Sequence, residues 1–471
     1  MKRILTLLLL LTAASRGFSQ TQPVPQIYSF SVQQAVDYAL SHKDSVINAG
    51  LDVKSAEYKV KETFGIGLPQ INGSASFQDY LKIPTILFPD FITPSIYQVL
   101  IDKNIKDGAG NPITQPTPGA PQPASFTQKY NSNLGVTLNQ ILFDGSYLVG
   151  LKASKTYKEL SQRSLTRTKI ETGVSVTKAY YQVLVSNEQI RLLDANLAQL
   201  KLQVDQTTAQ NKQGFVEKID VDRIKVQYNN LVTTRENTIR LLVLNYQILK
   251  FQMGMPIEND LQLTDKLTDV MLQANNDVAD IANDTTFYKK RIEYSLTETA
   301  VALNKLDLKR KKAAYLPTLS ATLNSSIAYQ SNSFNTLFNT SYPATYVGLN
   351  LTVPIFNGFQ RRYQVKQTEI EVLKSQNNLL SLKNALGLQA SQARINYING
   401  LQSLNNQKES RNLAEEVLRV SKIKYQQGVG SSIEVTQAQT ALEDANNKYI
   451  QSLYDSLVSK VDLDKAYGRI Q

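Results

Sequence analysis

An internal repeat constrains the fold of this 471-residue chain more than any other feature of its sequence. Residues 135–145, GVTLNQILFDG, recur as GLNLTVPIFNG at 348–358, an offset of 213 residues. Two further pairs recur at an offset of 214: Gln213-Gly214 with Gln427-Gly428, and Met253-Gly254 with Tyr467-Gly468. The Leu-Pro pairs at 68–69 and 316–317 are 248 residues apart, so the first copy carries about 35 extra residues in a proline-rich stretch. Spaced similarity of this kind indicates two copies of one structural unit.

Proline placement predicts long helices in both copies. None of the fifteen prolines lies in 124–255 or 355–471, and proline is excluded from helix interiors. We predict helices over about 34–66, 146–212 and 219–251 in the first copy, and over about 285–315, 359–426 and 433–467 in the second. A 67-residue helix is about 100 Å long, which equals two half-length helices placed end to end. One apolar stripe has helical spacing: Leu379, Leu382, Leu386, Ala390, Ala393, Tyr397, Leu401 and Leu404.

Short segments with a period of two separate the helices. Apolar and polar residues alternate over 317–330 and 345–357, and more weakly over 68–80 and 130–144. This alternation is typical of strands with one apolar and one polar face, and each segment has about the length of a tilted membrane-spanning strand. Four strands cannot close a barrel, whereas three chains would supply twelve. Residues 20–254 thus form the predicted first repeat, 255–285 a linker, and 286–468 the second repeat.

The amino-terminal segment and the composition limit the possible functions. Residues 1–19 have a basic start, an apolar run of about 11 residues and small residues near the end, which is typical of a secretory signal peptide. Export makes nucleic acid an improbable partner, although the formal charge is +11. The chain has no Cys and one His, which excludes thiol catalysis and Cys- or His-rich metal sites. We predict no catalytic residue, no metal and no cofactor.

The ordered motifs resemble the outer-membrane efflux (TolC-like) family over about residues 28–468. They are the 30–40 segment FSVQQAVDYAL, the two Leu-Pro pairs, the two Phe-(Asp/Asn)-Gly strand ends, the 424–428 segment KYQQG and the 433–439 segment IEVTQAQ. The resemblance implies a fold that is mainly α with membrane β: a trimeric 12-stranded outer-membrane β-barrel continued by a long periplasmic α-helical barrel. It implies an exit duct in the outer membrane, extending into the periplasm, that serves a periplasmic adaptor and an inner-membrane pump. It also implies that the 255–285 linker joins the chain termini in a belt.

The resemblance also implies functional positions at the two helical turns. Gly214 with Phe215, and Gly428 with Val429, match the tip turns at which adaptors dock. Asp220 and Glu434 match acidic positions of a pore constriction. Gln437 occupies the slot of the second constriction acid, Gly430 that of a basic residue that locks the closed tip, and Ile219 that of a polar partner of the lock. We therefore expect closure to depend on helix packing with one carboxylate ring at Glu434.

Aromatic and basic residues flank the predicted strands. We expect an interfacial aromatic girdle from Phe143 and Phe356 at one end of the strands and Tyr80, Tyr130, Tyr329 and Tyr346 at the other. Two basic clusters, at 309–312 and 361–362, favour contact with lipid phosphates, although cations at a helix carboxyl end are stabilised in any case. Two other hypotheses stay open on the residues alone. One is a secreted helical fibre or adhesin without a transport role, and the other is an exported hydrolase.

Overall fold

The computed structural model describes residues 27–90, 92–117, 121–267 and 286–470. The predicted signal segment 1–19 and the second part of the predicted linker, 268–285, lie outside the described residues. The chain divides into two compact units. The helical unit comprises 27–59, 154–305 and 369–470, and the strand unit comprises 60–153 and 306–368.

The helical segments occur in the order that the repeat predicts, with one additional short helix in the proline-rich stretch that was not predicted. Their bounds are α1 Val32–His42, α2 Asp44–Ile66, α3 Ile92–Asp102, α4 Gly145–Lys212, α5 Lys218–Met253, α6 Ile292–Ala313, α7 Gln360–Gln426 and α8 Ser432–Ala466. The predicted first helix, 34–66, is two helices, because Lys43 is extended with φ −69° and ψ 124°. The Lys43 ammonium donates to the Phe251 carbonyl at 2.6 Å, which fixes this break against α5. None of the described helices contains a stretch apolar enough to cross a bilayer.

In the part of the chain that the structure describes, eight strands form three small sheets. Their bounds are β1 Ile27–Phe30, β2 Gln70–Asp79, β3 Ile86–Phe88, β4 Gln122–Ala124, β5 Tyr130–Phe143, β6 Asp260–Leu263, β7 Thr318–Ser331 and β8 Ser341–Thr352. The largest sheet is antiparallel in the order β2-β5-β7-β8, and these are the four predicted long strands. The prediction that the last strand runs to 357 is wrong: β8 ends at Thr352, two residues before Pro354, which has no backbone N–H to donate to a ladder.

The helical unit is held together by apolar clusters between neighbouring helices. Leu193 and Leu200 of α4 pack on Ile224 and Leu231 of α5. The predicted stripe on α7 is confirmed as a packing face, since its members 386, 390, 393 and 397 are buried and the last three pack against Leu463 of α8. A third cluster joins α4 to α8 through residues 185, 450 and 457. The two predicted hairpins are therefore packed against each other within this unit.

The described part of the predicted linker, 255–267, and the residues just after the linker contact different helices. Strand β6 pairs in parallel with β1, from Ile27 opposite Asp260 to Phe30 opposite Leu263. Beyond the predicted linker, the buried Arg291 guanidinium donates to the Ala466 carbonyl at 3.1 Å and to both carboxylate oxygens of Glu293 at 2.9 Å. Burial raises the pKa of Glu293, but the bonds from Arg291 outweigh it and hold that pKa below its ordinary value. The start of the linker is thus paired with the strand before α1, and the segment that follows the linker is bonded to the end of α8.

Candidate functional site: helical tip turns and strand faces

The first tip turn joins α4 to α5 and depends on one glycine. Gly214 has φ +81°, a conformation that favours glycine. The Phe215 amide donates to the Gln210 carbonyl at 3.0 Å, and the Asn211 side-chain amide donates to the Val216 carbonyl at 2.8 Å. These bonds satisfy carbonyls at the helix end, as in a Schellman motif. The turn leaves the Phe215 side chain 77% exposed.

The second tip turn joins α7 to α8 with the same backbone pattern. Gly428 has φ +75°, and the Val429 amide donates to the Lys424 carbonyl at 3.0 Å. Val429 is 78% exposed, which matches Phe215 at the equivalent place in the first turn. Each predicted docking turn thus presents one apolar side chain to its surroundings.

Gly430 is required by close packing. A Cβ atom at this position would lie 2.9 Å from the Lys424 Cβ and 3.1 Å from the Tyr425 amide nitrogen. The Gly430 amide also donates to the Lys424 carbonyl at 3.1 Å. The absence of a basic side chain at this slot, noted from the sequence, therefore has a local cause: the turn is folded too tightly against the end of α7 to hold one.

The three predicted constriction residues fall into two different environments. Glu434 and Gln437 are both exposed and lie about one helical turn apart on α8, beside the buried Val435 and Ala438. Asp220 is half-buried at the start of α5, where its carboxylate accepts a hydrogen bond from the Ser432 hydroxyl and lies 3.4 Å from Arg223. The structure therefore places Glu434 and Gln437 close together on α8, whereas the Asp220 carboxylate is bonded to the second tip through Ser432.

Tyr425 lies close to this contact between the tips. Its hydroxyl is buried without a hydrogen-bond partner among the described residues. Burial raises the pKa of Tyr425, and the negative charge of Asp220 raises it further. The hydroxyl therefore stays protonated and available as a donor near Asp220. Ser432 and Tyr425 escaped prediction because nothing in their local sequence indicates a contact with α5.

The four-stranded sheet has one apolar and one polar face, as the alternation predicts. The register brings Leu138 of β5 opposite Ile71 of β2 and Leu323 of β7, and Leu323 opposite Val347 of β8. The other face carries Asn, Ser and Thr: the Asn324 side chain donates to the Thr137 hydroxyl at 2.8 Å, and Thr322 donates to Asn139 at 3.0 Å. A polar face of this kind suits contact with water, and the apolar face suits contact with lipid.

The predicted girdle aromatics are divided between the two faces. Tyr130 and Tyr329 lie on the apolar face, opposite Asp79 and Ser132 respectively. Phe143 also reaches it, because a bulge between Ile141 and Phe143 shifts the register so that Phe143 pairs with Leu319.

The other three predicted positions fall elsewhere. Tyr80 donates to the Gln78 side chain, and Tyr346 is opposite Asn324, so both share the polar side. Phe356 lies beyond the end of β8, is 74% exposed and contacts the Phe359 ring at 5.4 Å. The position of these three residues does not match a lipid-facing girdle formed by strand residues.

Three phenylalanines missed by the sequence analysis extend the aromatic group at the Tyr130 end of the sheet. Phe334 contacts the rings of both Tyr130 and Phe77, at 5.8 and 6.1 Å between centroids. Phe338 packs on Tyr329 at 5.2 Å. Two of them lie in the β7–β8 connection, where no period of two exists to indicate their side.

The sequence profile of outer membrane efflux proteins matches residues 111–241 and 296–469, which together are most of the chain. The chain belongs to this family. The outer membrane protein TolC of Salmonella enteritidis is 23% identical over 360 residues, which are 72% of this chain and 70% of that protein. TolC of Vibrio cholerae serotype O1 is 22% identical over 344 residues, 71% of this chain and 76% of that protein.

Solved structures of outer-membrane channels have the same fold. CusC aligns with a TM-score of 0.71 at 17% identity, covering 96% of both chains. The MtrE outer membrane channel of Neisseria gonorrhoeae, in its open state, aligns with a TM-score of 0.69 at 15% identity, covering 93% of this chain and 88% of that one. This outer membrane efflux protein is therefore a channel and not an enzyme, and it lies in the outer membrane and extends into the periplasm. The fibre and hydrolase hypotheses are wrong.

Proposed function

We propose that three copies of this chain form the exit duct of a tripartite efflux system, with a twelve-stranded barrel in the outer membrane and a helical barrel in the periplasm. Substrates pass through its lumen from an adaptor and an inner-membrane pump. The observation that carries this proposal is the open sheet. Strands β2 and β8, of 10 and 12 residues, each have one strand neighbour among the described residues.

Two long free edges are unfavourable for an isolated sheet, because their unpaired N–H and C=O groups invite pairing with another chain. In a lipid environment such groups must be satisfied by closure. Pairing of β2 of one copy with β8 of the next satisfies both edges, and three copies close the ring. The apolar face then meets lipid and the Asn, Ser and Thr face lines a water-filled lumen. The two halves of each chain contribute equivalent strand pairs, in keeping with an ancestral duplication.

Disulfide cross-linking tests this closure directly, since the native chain has no Cys. Ser74→Cys on the polar face of β2 is combined with single Cys substitutions scanned along residues 342–350 of β8. We expect covalently linked copies on a non-reducing gel for one register of polar-face positions. Positions 347 and 349, on the apolar face, are the matched controls and stay unlinked. Efficient linkage at the apolar positions, or at none, would contradict the barrel.

The basic clusters next to the strands support a membrane boundary at the helix-proximal end of the sheet. Arg361 and Arg362 lie in the first turn of α7, where the helix dipole disfavours cations. Helix stability therefore does not explain them, whereas attraction to lipid phosphates does. Arg310 of the other cluster is already paired with Asp307 at 2.7 Å, so its contribution to such contact is the smaller.

Glu434 is the proposed charge of the pore constriction. Three exposed carboxylates related by threefold symmetry attract cations and disfavour anions. We expect Glu434→Gln to reduce cation selectivity and divalent-ion block of single channels in a planar bilayer. Gln437→Glu, which adds a second carboxylate one turn away, is the opposite change and raises both. Unaltered ion selectivity in both variants would show that the constriction does not lie at Glu434.

The exposed apolar residues Phe215 and Val429 are the proposed contacts for the adaptor. An adaptor that buries these two side chains removes apolar surface from water, which favours binding. We expect Phe215→Asp combined with Val429→Asp to abolish co-purification of the periplasmic adaptor with the channel while leaving single-channel conductance unchanged. Phe215→Tyr with Val429→Thr is the conservative control and retains the adaptor. Full retention of the adaptor by the aspartate variant would place the docking site elsewhere.

A further inference from the structure

The extra residues of the first copy form a small apolar structure that the channel function leaves unexplained. Residues 80–129 connect β2 to β5 at the end of the sheet opposite α4 and contain helix α3 and the short strands β3 and β4. Helix α3 exposes Ile92, Ile96 and Val99, at 59, 53 and 57%. These residues are four and three positions apart and so share one helix face.

Three more exposed residues come just before α3. Leu81, Ile86 and Leu87 are 95, 61 and 69% exposed. We call these six residues the outer apolar surface. It follows directly on the Tyr130 end of the sheet, where Phe77, Tyr130 and Phe334 form the aromatic group. Aromatic groups of this kind mark the level of the lipid headgroups in outer-membrane barrels.

The acidic side chains near this surface accept hydrogen bonds within the segment, whereas the lysines near it form no ion pair among the described residues. Asp90 accepts from the Thr93 amide at 3.0 Å, Asp102 accepts from the Gln98 side chain at 2.9 Å, and Asp107 accepts from the amides of residues 109 and 111. The exposed Lys82, Lys103 and Lys106 form no ion pair among the described residues. The carboxylates are thus occupied within the segment, and the ammonium groups remain available to an anionic partner.

We propose that the outer apolar surface lies in the outer leaflet of the outer membrane, with α3 parallel to the membrane plane. Helix α3 has 11 residues, about 16 Å, which is too short to cross a hydrocarbon core of about 30 Å. An apolar face flanked by lysines is the pattern of a helix that lies in the interface, where aliphatic side chains enter the acyl chains and cations meet headgroup phosphates. The partner is therefore anionic lipid, and the segment anchors the barrel rim. This inference rests on the proposed barrel.

Tryptophan fluorescence tests the placement cleanly, because the native chain contains no Trp. Ile96→Trp is reconstituted in vesicles whose phosphatidylglycerol carries brominated acyl chains, which quench indoles by contact. We expect a blue-shifted emission, because the indole enters the acyl chains, and a lower intensity than in unbrominated vesicles. Val99→Trp is a second reporter on the same face and behaves alike. Gln98→Trp, on a different face of the same helix, is the matched control and stays largely unquenched.

The possible outcomes separate this inference from the proposed function. Leu349→Trp, on the apolar face of β8, reports on the barrel itself and is quenched if the barrel spans the vesicle membrane. Quenching at 349 with water-exposed, unquenched emission at 96 and 99 would overturn the inference alone. Blue-shifted but unquenched emission at 96 would also overturn it, since another protein surface would then cover α3. Neutralising the three lysines to Gln is expected to weaken quenching at 96 in phosphatidylglycerol and to leave it unchanged in phosphatidylcholine.

Discussion

The two helical hairpins, α4–α5 and α7–α8, have equivalent turns but bury their second helices very differently. Helix α8 has fourteen buried residues, whereas α5, one residue longer, has six. Helix α5 instead exposes Val226, Leu241, Val243, Leu244, Ile248 and Phe251. In the second hairpin, α8 is therefore buried within its own chain. In the first hairpin, the exposed apolar residues of α5 remain available for contact with another copy. A duplicated unit can in this way form both the intrachain and the interchain packing of a ring.

The tips differ in the same sense. Ser431 begins α8 with a side-chain cap that accepts from the Glu434 amide at 3.2 Å, whereas Glu217 begins α5 without a side-chain cap bond. The Asp220 carboxylate of the first tip accepts a hydrogen bond from Ser432 of the second, whereas the Glu434 carboxylate has no such bond among the described residues. The two tips are therefore bonded to each other through Asp220, and the unbonded carboxylate lies on the helix with the side-chain cap.

The largest expected effect comes from the buried side of this comparison. Leu457 of α8 is 2% exposed and packs in one cluster with Val185 of α4. We expect Leu457→Ala to lower the free energy of unfolding by about 2–5 kcal/mol through loss of burial and a residual cavity. Leu244→Ala on the exposed face of α5 is expected to leave the fold of the single chain intact and to weaken assembly only. Thermal unfolding in detergent and gel mobility of unheated samples distinguish the two, and equal loss of fold in both variants would contradict the comparison.

The next largest effect is expected at the two glycines that flank α5, Gly214 before it and Gly254 after it. Gly254 has φ +71°, and a Cβ there would lie 2.7 Å from the His42 carbonyl oxygen and from the Lys43 Cα, both backbone atoms. Gly214 has φ +81° with open space around it. We expect Gly214→Ala to cost about 1 kcal/mol from backbone strain, and Gly254→Ala to cost about 3 kcal/mol because crowding is added. Urea unfolding measures the loss of free energy of unfolding in both variants. A larger loss for Gly214→Ala than for Gly254→Ala would show that the backbone at His42 and Lys43 moves aside at little cost.

Changes at the helix caps are expected to alter stability less, with a loss where a cap is removed and a gain where one is introduced. Removing the cap with Ser431→Ala is expected to cost about 1 kcal/mol at the second tip. Introducing a cap with Glu217→Ser is expected to stabilise the first tip by a similar or smaller amount. Amide hydrogen exchange in the first turns of α5 and α8 reports each tip separately. Unchanged protection in α8 after Ser431→Ala would mean that packing alone holds this turn.

The smallest effect concerns pH and Glu443 of α8. Burial raises the pKa of Glu443, and the neighbouring negative charge of Asp444 raises it further. Asn196 of α4 and Thr234 of α5 line the same small cavity as Glu443. Because the folded pKa exceeds the unfolded one, the folded state binds more protons between these two values. Stability therefore falls as pH rises through that window and recovers as pH is lowered. Glu443→Gln is expected to stabilise the protein slightly at neutral pH and to flatten this dependence in unfolding curves, and an unchanged dependence would assign it to other groups.

The elements that follow from periodicity were predictable, and those that depend on contacts between elements were not. The alternation in β7 and β8 predicted a two-faced sheet, and it already grouped position 346 with Gly348 and Asn350, so the polar side of Tyr346 could have been found by counting. The bulge that moves Phe143 to the apolar face, the break at Lys43 and the bond from Ser432 to Asp220 each depend on a partner distant in sequence. Gly430 was noticed as a departure, but the close approach of Lys424 that requires it is a property of the folded turn.

The central claim is that this chain forms a closed duct only as three copies. Native mass spectrometry of the mature protein, extracted from outer membranes in detergent, tests it most directly. We expect one assembly with three times the mass of the single mature chain, which dissociates to single chains on heating. A folded single chain as the main species, or an assembly of any other number of copies, would contradict it.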